Sequence, residues 1–493
     1  MSENVSAVMG SRTSAESSTA KAFEFLPPFI TGLRWLLFLI AAWQFSWPVY
    51  RAFLNIEIET NEGWNAYFSD AALGRMPLYP SADKLITNNY PPLSFYIVGG
   101  LGRLVGDPIL AGRLLSLAAV FVIGGTVTGA VRALGGDRAG AGVGGAVFVA
   151  TISRFSSSYV GMNEPQLLAH ALMSIGFAWF LRSNARNESC LWPILFMAFA
   201  GFVKHNIISM PLAALLWLGF HRPREALKCA LVSGAAVAAG FALCFALYGH
   251  DFFLNMLSSR QYSWARSWGA AGELKPLSAA LAAIALLGWF RWKDRNVRLC
   301  ALLVSIAVGT FFLQRTGAGV DKNSIFDLLI AASIGTGIAF SHAGSAFNTQ
   351  PGASADDIPP RPKRIPIAFV LQAAFLLVLA LRLSYFQEFT SSYPFRMFFD
   401  PSFKTEIATR ERAMADSIAK VRAVPGAVMT TNYVCYRAGK PFTIDKFNAE
   451  QRVLTGALPS DAITSLIESR RISVVHPDRR GDWYNPLVKK KSE

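Results

Sequence analysis

The feature that most constrains this chain is a series of long apolar runs separated by short polar connections. Phe29–Trp47 is the first of these runs, and Ile365–Leu383 is the last. A helix needs roughly 20 mainly apolar residues to cross a bilayer, so the runs predict about eleven membrane spans. Several runs are shorter than this, and we expect their helices to extend into flanking residues. The sequence therefore predicts an all-α polytopic transmembrane bundle.

Composition narrows the class of protein further. Of the 493 residues, 52% are hydrophobic and 16% are charged, which is typical of a multi-spanning membrane protein. The net charge of +15 comes largely from Lys and Arg clusters between the apolar runs, where they mark cytoplasmic loops and do not indicate nucleic-acid binding. The five cysteines are scattered without a CxxC pair, so neither disulfides nor a structural metal is indicated. No cofactor is predicted, although a divalent metal is not excluded.

The basic clusters recur in alternate connections, and this alternation predicts the topology. Arg182 with Arg186, and Lys363 with Arg364, are examples of cytoplasmic clusters. We expect a bacterial inner (cytoplasmic) membrane protein with a cytoplasmic N-terminus and a periplasmic or extracellular C-terminal region. The predicted regions are a disordered cytoplasmic tail (1–25), a transmembrane domain (26–385) with a first outer loop (48–113) and a cytoplasmic linker (343–364), and a small soluble extracytoplasmic α/β domain (386–493).

The C-terminal region changes to a soluble pattern. Its periodicity predicts helices near Lys404–Arg422 and Ala462–Arg470, and strands at Val428–Cys435 and Ile472–Val475. In the first outer loop, the apolar segment Tyr90–Gly106 carries Pro-Pro near its start, and we expect a helix that lies at the outer membrane surface.

Acidic residues concentrate in the first outer loop. Solvated surface is the favoured interpretation for Glu57, Glu59 and Asp70, since most exposed acids are simply exposed. Glu62 differs because it stands in Asn61-Glu62-Gly63-Trp64-Asn65, among amide side chains, a glycine and an aromatic ring. This setting makes Glu62 the candidate catalytic acid or base.

The order of these motifs resembles the GT-C class of integral membrane glycosyltransferases, which includes the protein O-mannosyltransferases and the aminoarabinose transferase that modifies lipid A. The shared order is a first span, an acidic outer loop, Tyr-Pro-Pro-Leu and then Gly-Arg-Leu, followed near the C-terminus by Pro-Gly-Ala-Val and Ala-Gly-Lys-Pro. Members carry Asp-Glu or Asp-Asp where this chain has Asn61-Glu62, so only Glu62 can take the acidic role. The resemblance implies sugar transfer from a polyprenyl-phosphate-linked donor to a lipid, glycan or protein acceptor.

Such a transfer needs a base for the acceptor hydroxyl and cations for the departing phosphate. Glu62 is the predicted base, and Lys204, Lys322 and Arg260 are the predicted cations. Lys204 can instead be a snorkelling lysine, and Arg260 lies in a loop that also fits an interfacial aromatic belt. Further candidate substrate-binding residues are Asn61, Asn65, Tyr90, Glu164, His205, Asn206, Asp321 and Asn323. A carboxylate such as Glu164 is also favoured at a helix start by the helix dipole alone.

Two other functions remain open from the sequence. A transporter or flippase of lipid-linked sugars also needs many spans, but such proteins often show internal repeats, and none is evident here. An oligosaccharide ligase or polymerase would use the same donor chemistry and differ in how much is transferred.

Overall fold

The computed structural model describes residues 3–345, 367–384 and 388–475, with side chains from residue 27 onward except at 344–345 and 367–368. Helices make up 75% of the structure, as the sequence predicts. Most of the predicted linker at 343–364 lies outside the described residues, and so does everything after residue 475.

Fifteen helices precede the C-terminal region of the described chain. The first seven are α1 (Glu3–Ala52), α2 (Asn61–Ala72), α3 (Leu93–Val105), α4 (Pro108–Ala133), α5 (Arg138–Phe155), α6 (Gln166–Ala185) and α7 (Leu191–Ala200). The next eight are α8 (Ser209–His221), α9 (Pro223–Tyr248), α10 (His250–Met256), α11 (Trp264–Gly269), α12 (Ser278–Arg291), α13 (Arg295–Arg315), α14 (Phe326–Ser345) and α15 (Ile367–Ser384).

Six helical segments are long and apolar enough to cross a membrane, among the residues that the structure describes. They are Pro27–Ala52, Pro108–Ala133, Pro223–Tyr248, Trp264–Arg291, Arg295–Arg315 and Lys322–Ala343. Four shorter apolar helices, Leu93–Val105, Leu191–Ala200, Ser209–His221 and Phe369–Ser384, accompany them. The count of about eleven spans, which rests on apolar runs of roughly 20 residues, stays a prediction.

Helices α4, α5, α6 and α14 pack together at the centre of the bundle. Val120, Ile123, Phe148 and Phe180 are fully buried between them. Large apolar side chains also cover the outside of the bundle, and Trp289 is 83% exposed. A soluble protein would bury such a surface, whereas a membrane protein presents it to lipid.

The region predicted as a disordered tail is helical from Glu3, as the first part of α1. Apart from Gly10, residues 3–25 contain no strong helix breaker and several good helix formers, which accounts for the difference. Further along, Asp107 begins α4 by accepting a hydrogen bond from the Ile109 backbone N–H at 2.9 Å.

The C-terminal region combines five helices with a two-stranded parallel sheet. Its elements are α16 (Tyr393–Phe399), α17 (Pro401–Ala423), β1 (Val428–Met429), α18 (Asn432–Arg437), α19 (Lys446–Leu454), α20 (Ala462–Ser469) and β2 (Ser473–Val474). Val428 pairs with Ser473. The predicted strand Val428–Cys435 is wrong beyond Met429, because the Thr431 side chain caps α18 and starts a helix there.

The C-terminal region packs directly on the first outer loop. Gly63 in α2 makes the closest approach, since a Cβ atom there would lie 2.1 Å from the backbone carbon of Asn432 in α18. Leu85 forms a parallel bridge with Ile444, and the Asp445 N–H donates to the Leu85 carbonyl at 2.7 Å. Only glycine fits at position 63 without displacing α18.

Candidate active site

A cavity of about 730 Å³ lies where the loops at one end of the bundle meet the C-terminal region. Its volume is typical of pockets for small ligands, which span roughly 300–1,000 Å³. Both the loop before α2 and the turn before α14 contribute to its wall. Seven residues predicted from the sequence line it: Asn61, Tyr90, Lys204, His205, Asn206, Arg260 and Asn323.

Glu62 lies outside this cavity and is fully buried. Its Oε1 and Oε2 atoms accept hydrogen bonds from Nε and Nη2 of Arg113, each at 2.7 Å. The backbone N–H groups of Ile58 and Asn163 donate to the same carboxylate at 2.9 and 3.1 Å. A carboxylate with four donors and no exposed surface cannot reach an acceptor hydroxyl. The geometry therefore gives Glu62 a structural role and does not support its predicted role as a base.

Arg113 extends this buried contact from α4 to the end of α1. Beyond Glu62, its guanidinium donates to three backbone carbonyls, those of Ala52, Leu54 and Ile56, at 3.3, 2.8 and 2.6 Å. The pair thus fixes the chain segment between α1 and α2 that carries the other acidic residues.

Glu59 is the carboxylate of this segment that faces the cavity. Its side chain is half-buried, and it accepts hydrogen bonds from the Thr60 hydroxyl and the Asn61 backbone N–H, both at 2.7 Å. Burial raises the pKa of Glu59, and the nearby carboxylates of Glu62 and Asp321 add to the increase. The interpretation of Glu59 as solvated surface is wrong for this reason.

Lys204 reaches the cavity together with two buried partners. Its ammonium is paired directly with the Glu164 carboxylate, donates to the Tyr90 hydroxyl at 3.1 Å, and lies 4.3 Å from the centre of the Tyr90 ring. Burial by itself would lower the pKa of Lys204, but the charges and hydrogen bonds of Glu164 and Tyr90 together outweigh burial and raise the pKa. Lys204 is therefore a charged residue whose charge is largely neutralised by Glu164.

Glu164 itself does not line the cavity. Its second oxygen accepts a hydrogen bond from the Gln166 backbone N–H at 2.6 Å, at the start of α6. Its observed contacts are with Lys204, Tyr90 and this helix terminus, so the geometry favours a counter-ion over a substrate ligand.

Arg260 brings a positive charge to the cavity wall without a carboxylate partner in the described part of the chain. Its guanidinium lies 5.6 Å from the centre of the Phe447 ring. Desolvation, together with the charges of Lys204 and Arg260, lowers the pKa of His205 to about 4. His205 is therefore neutral at physiological pH, and Arg260 is the cation of this wall that forms no ion pair with a described residue, although the Asp445 carboxylate acts on it at longer range.

Unpaired polar atoms mark another part of the wall. The side-chain oxygens of Asn206, Asn323 and Ser258 have no hydrogen-bond partner. The side-chain amides of the two asparagines are held in place, because Asn206 donates to Gln314 and Asn323 donates to Gln166, both at 3.1 Å. Buried acceptors without partners are costly, so a ligand hydroxyl that displaces the side chains enough to reach these recessed atoms would satisfy them.

The C-terminal region contributes a carboxylate that the sequence analysis missed. Asp445 is buried, and burial raises its pKa despite hydrogen bonds from the Asn448 side chain and from Trp64. The Trp64 Nε1–H donates to Asp445 Oδ2 at 2.9 Å, and its ring packs 5.1 Å from that of Tyr90. In the sequence Asp445 fits only a helix N-cap, which it also provides for α19.

Besides Glu62 and Glu164, three more of the predicted residues fall outside the cavity. Asn65 donates to the backbone carbonyls of Asn61 and Asn163, both at 2.9 Å, and so acts within the framework. Asp321 accepts a hydrogen bond from the Tyr159 hydroxyl at 3.3 Å. Lys322 lines a second, smaller cavity of about 290 Å³.

No group of three or more His, Cys, Asp or Glu side chains that could hold a metal ion occurs among residues 27–343, 369–384 and 388–475. The five free cysteines are all buried and separate from the cavity.

Comparisons with known proteins show what this fold is similar to. No protein-family model and no curated protein matches the chain in sequence. The fold is similar to that of ArnT from Cupriavidus metallidurans bound to undecaprenyl phosphate, with a TM-score of 0.55 and 13% identity over 92% of this chain and 90% of that chain. The apo state of that protein gives a TM-score of 0.54 and 13% identity over 91% of each chain. ArnT is a GT-C glycosyltransferase, so the predicted resemblance to that class is confirmed at the level of the fold.

Proposed function

We propose that this protein is a membrane glycosyltransferase that moves a sugar from a polyprenyl-phosphate-linked donor to an extracytoplasmic acceptor. The observation that carries the proposal is one cavity that combines a carboxylate of raised pKa, Glu59, with Arg260, a cation that forms no ion pair with a described residue. The similarity in fold to ArnT bound to undecaprenyl phosphate supports the choice of donor. The proposal places the protein in a bacterial inner membrane with the cavity on the extracytoplasmic side, which the similarity in fold and the charge pattern support.

The donor phosphate binds to Arg260 in this proposal. A planar guanidinium offers two parallel N–H donors to phosphate oxygens, and Arg260 has no carboxylate competing for them in the described structure. Lys204 assists as a weaker ligand, because Glu164 already balances most of its charge. The Tyr90 hydroxyl accepts a hydrogen bond from Lys204 and donates to Glu164 over a long 3.5 Å, and we propose that it turns this proton to the phosphate when the donor binds.

Transfer proceeds by a single displacement at the anomeric carbon. The bond from this carbon to the acceptor oxygen forms while the bond to the phosphate oxygen breaks, and the electron pair leaves with the polyprenyl phosphate. The acceptor proton passes to Glu59, whose raised pKa brings it closer to that of an effective base at neutral pH. The leaving phosphate needs no acid because it departs as a stable anion that Arg260 holds.

The sugar occupies the part of the cavity that is lined by unpaired acceptors. Its hydroxyls donate to the side-chain oxygens of Asn206, Asn323 and Ser258, which otherwise stay without partners. The buried, hydrogen-bonded pair of Trp64 and Asp445 forms another part of the wall and helps to exclude water there. A protonated Asp445 carboxyl donates a hydrogen bond, whereas the charged carboxylate only accepts them. The raised pKa of Asp445 therefore contributes to the choice of sugar.

The experiment that tests this function uses purified protein in proteoliposomes with a radiolabelled undecaprenyl-phosphate-linked sugar and a lipid extract as acceptor. A glycosyltransferase forms a new labelled product and releases undecaprenyl phosphate. A flippase moves the labelled donor between leaflets and forms no glycosidic bond, and that result would contradict the proposal. Mass spectrometry of the product separates transfer of one sugar from transfer of an oligosaccharide.

A further inference from the structure

The second cavity, of about 290 Å³, is formed by chain segments beside the turn that precedes α14. Lys322 from this turn lines the second cavity, whereas the adjacent Asn323 lines the first. The two cavities are therefore neighbours that share one wall, the segment 317–325. The last turn of α5 and the end of α15 also line the second cavity.

Three basic side chains line this second cavity: Lys275, Lys322 and Arg382. None of them forms an ion pair with a described residue, and Arg382 donates to the backbone carbonyl of Lys275 at 2.9 Å. The single carboxylate in the wall, Glu273, accepts a hydrogen bond from Arg315 at 2.6 Å and is balanced by it. The cavity thus carries an uncompensated positive charge.

Apart from Thr151 and Ser156, the remainder of the wall is apolar. Phe155, Leu277, Ile325 and Leu329 line it, and the last three are buried in the bundle. Apolar side chains next to a cluster of cations match a ligand that carries both an anionic group and a hydrocarbon part. A free anion uses the cations but gains nothing from the apolar wall.

We infer that this second cavity binds the phosphate-bearing headgroup of the lipid that accepts the sugar. The inference rests on the proposed function, because a transferase must hold two substrates at once and the first cavity is occupied by the donor. The two cavities meet at segment 317–325, so a headgroup in the second cavity lies next to the first, whose wall includes Glu59. The acceptor class is therefore an anionic lipid, in preference to a neutral glycan or a protein.

The test measures lipid binding to the full-length purified protein in detergent. The triple variant Lys275→Ala/Lys322→Ala/Arg382→Ala is compared with Lys404→Ala/Arg412→Ala/Lys420→Ala, which removes the same charge from exposed positions of α17. The probes are phosphatidylglycerol, phosphatidylcholine, undecaprenyl phosphate and inorganic phosphate. A cation near a lipid surface changes affinity about fivefold, so we expect the cavity triple variant to weaken phosphatidylglycerol binding roughly a hundredfold.

The control variant is expected to bind phosphatidylglycerol like the parent, and both variants are expected to keep undecaprenyl phosphate binding. Lys322→Arg should retain the lipid, which separates loss of charge from loss of folding. Equal weakening by the two triple variants would overturn the inference, and so would loss of undecaprenyl phosphate binding in the cavity variant. Displacement of the lipid by an equal concentration of inorganic phosphate would mean a free-anion site. If the parent binds phosphatidylglycerol selectively but not undecaprenyl phosphate, the proposed function fails while the anionic-lipid site stands.

Discussion

Replacing Glu62 by Gln should destabilise the protein without removing its catalytic base. The substitution keeps the shape of the side chain but leaves the Arg113 guanidinium, only 2% exposed, without its counter-charge. It also turns an amide NH₂ group towards donors, namely Arg113 or the backbone N–H groups of Ile58 and Asn163. Two buried groups therefore lose their partners from one change.

The magnitude follows from the burial of the pair. Removing one partner of a buried ion pair typically costs about 3–5 kcal/mol, and the additional backbone donors place this pair at the upper end. The unfolding entropy of about 2 cal/mol/K per residue sums to roughly 1 kcal/mol/K for a chain of this length. Dividing the loss of stability by this entropy gives a fall in Tm of about 3–5 °C.

The assay is thermal unfolding of the full-length protein in detergent, followed by intrinsic fluorescence. Glu468→Gln is the matched control, because Glu468 is exposed at the end of α20 and should leave the Tm unchanged. Below the transition, the Glu62→Gln protein should retain most of its transfer rate. An unchanged Tm combined with a hundredfold loss of rate would refute the structural role and restore Glu62 as the base.

Three further changes probe the rest of the cavity. Arg260→Ala should raise the Kd for undecaprenyl phosphate by about tenfold to a hundredfold, since a hydrogen bond to a charged group contributes about 1.5–3 kcal/mol. Arg260→Lys should recover part of the lost affinity. An unchanged Kd in a direct binding titration of Arg260→Ala would contradict this prediction. Lys204→Ala leaves Glu164 buried and should lower the Tm, whereas the double variant Lys204→Ala/Glu164→Gln should recover much of the loss in the same melting assay. Because burial raises the pKa of Glu59 above its ordinary 4.5, the transfer rate should fall as pH drops through that raised pKa. Burial disfavours the charged form of Glu59, so folding stability should be lost as pH rises through the raised pKa. The Glu59→Gln variant cannot ionise, so its Tm should exceed that of the parent at pH values above the raised pKa and not below it.

The helical architecture could be predicted because apolar runs and basic clusters record it residue by residue. Which of the acidic residues serves as the base could not be predicted from the sequence. Glu57, Glu59 and Glu62 lie within one short segment, and which of them faces the cavity depends on Arg113, a residue in a later helix. Sequence proximity to Asn61 and Trp64 favoured Glu62, whereas the buried guanidinium takes Glu62 out of the cavity and leaves Glu59 in it.

The sequence also could not predict that two neighbouring side chains face different cavities. Lys322 and Asn323 were predicted as one site, but a 3-10 turn over Lys322–Ile325 directs them into different cavities. Asp445 joins the site from the far end of the chain through Trp64. A helix-capping aspartate has no local pattern that distinguishes it from one that also lines a cavity.

The most direct test of the account is the single-turnover rate of sugar transfer by Glu59→Gln, measured with Glu62→Gln and Glu468→Gln in parallel. Loss of a general base costs about a hundredfold to ten-thousandfold in rate, and we predict a loss of that size for Glu59→Gln alone, with undecaprenyl phosphate binding unchanged. A Glu59→Gln protein that transfers sugar at close to the parental rate would contradict the assignment of this cavity's catalytic base.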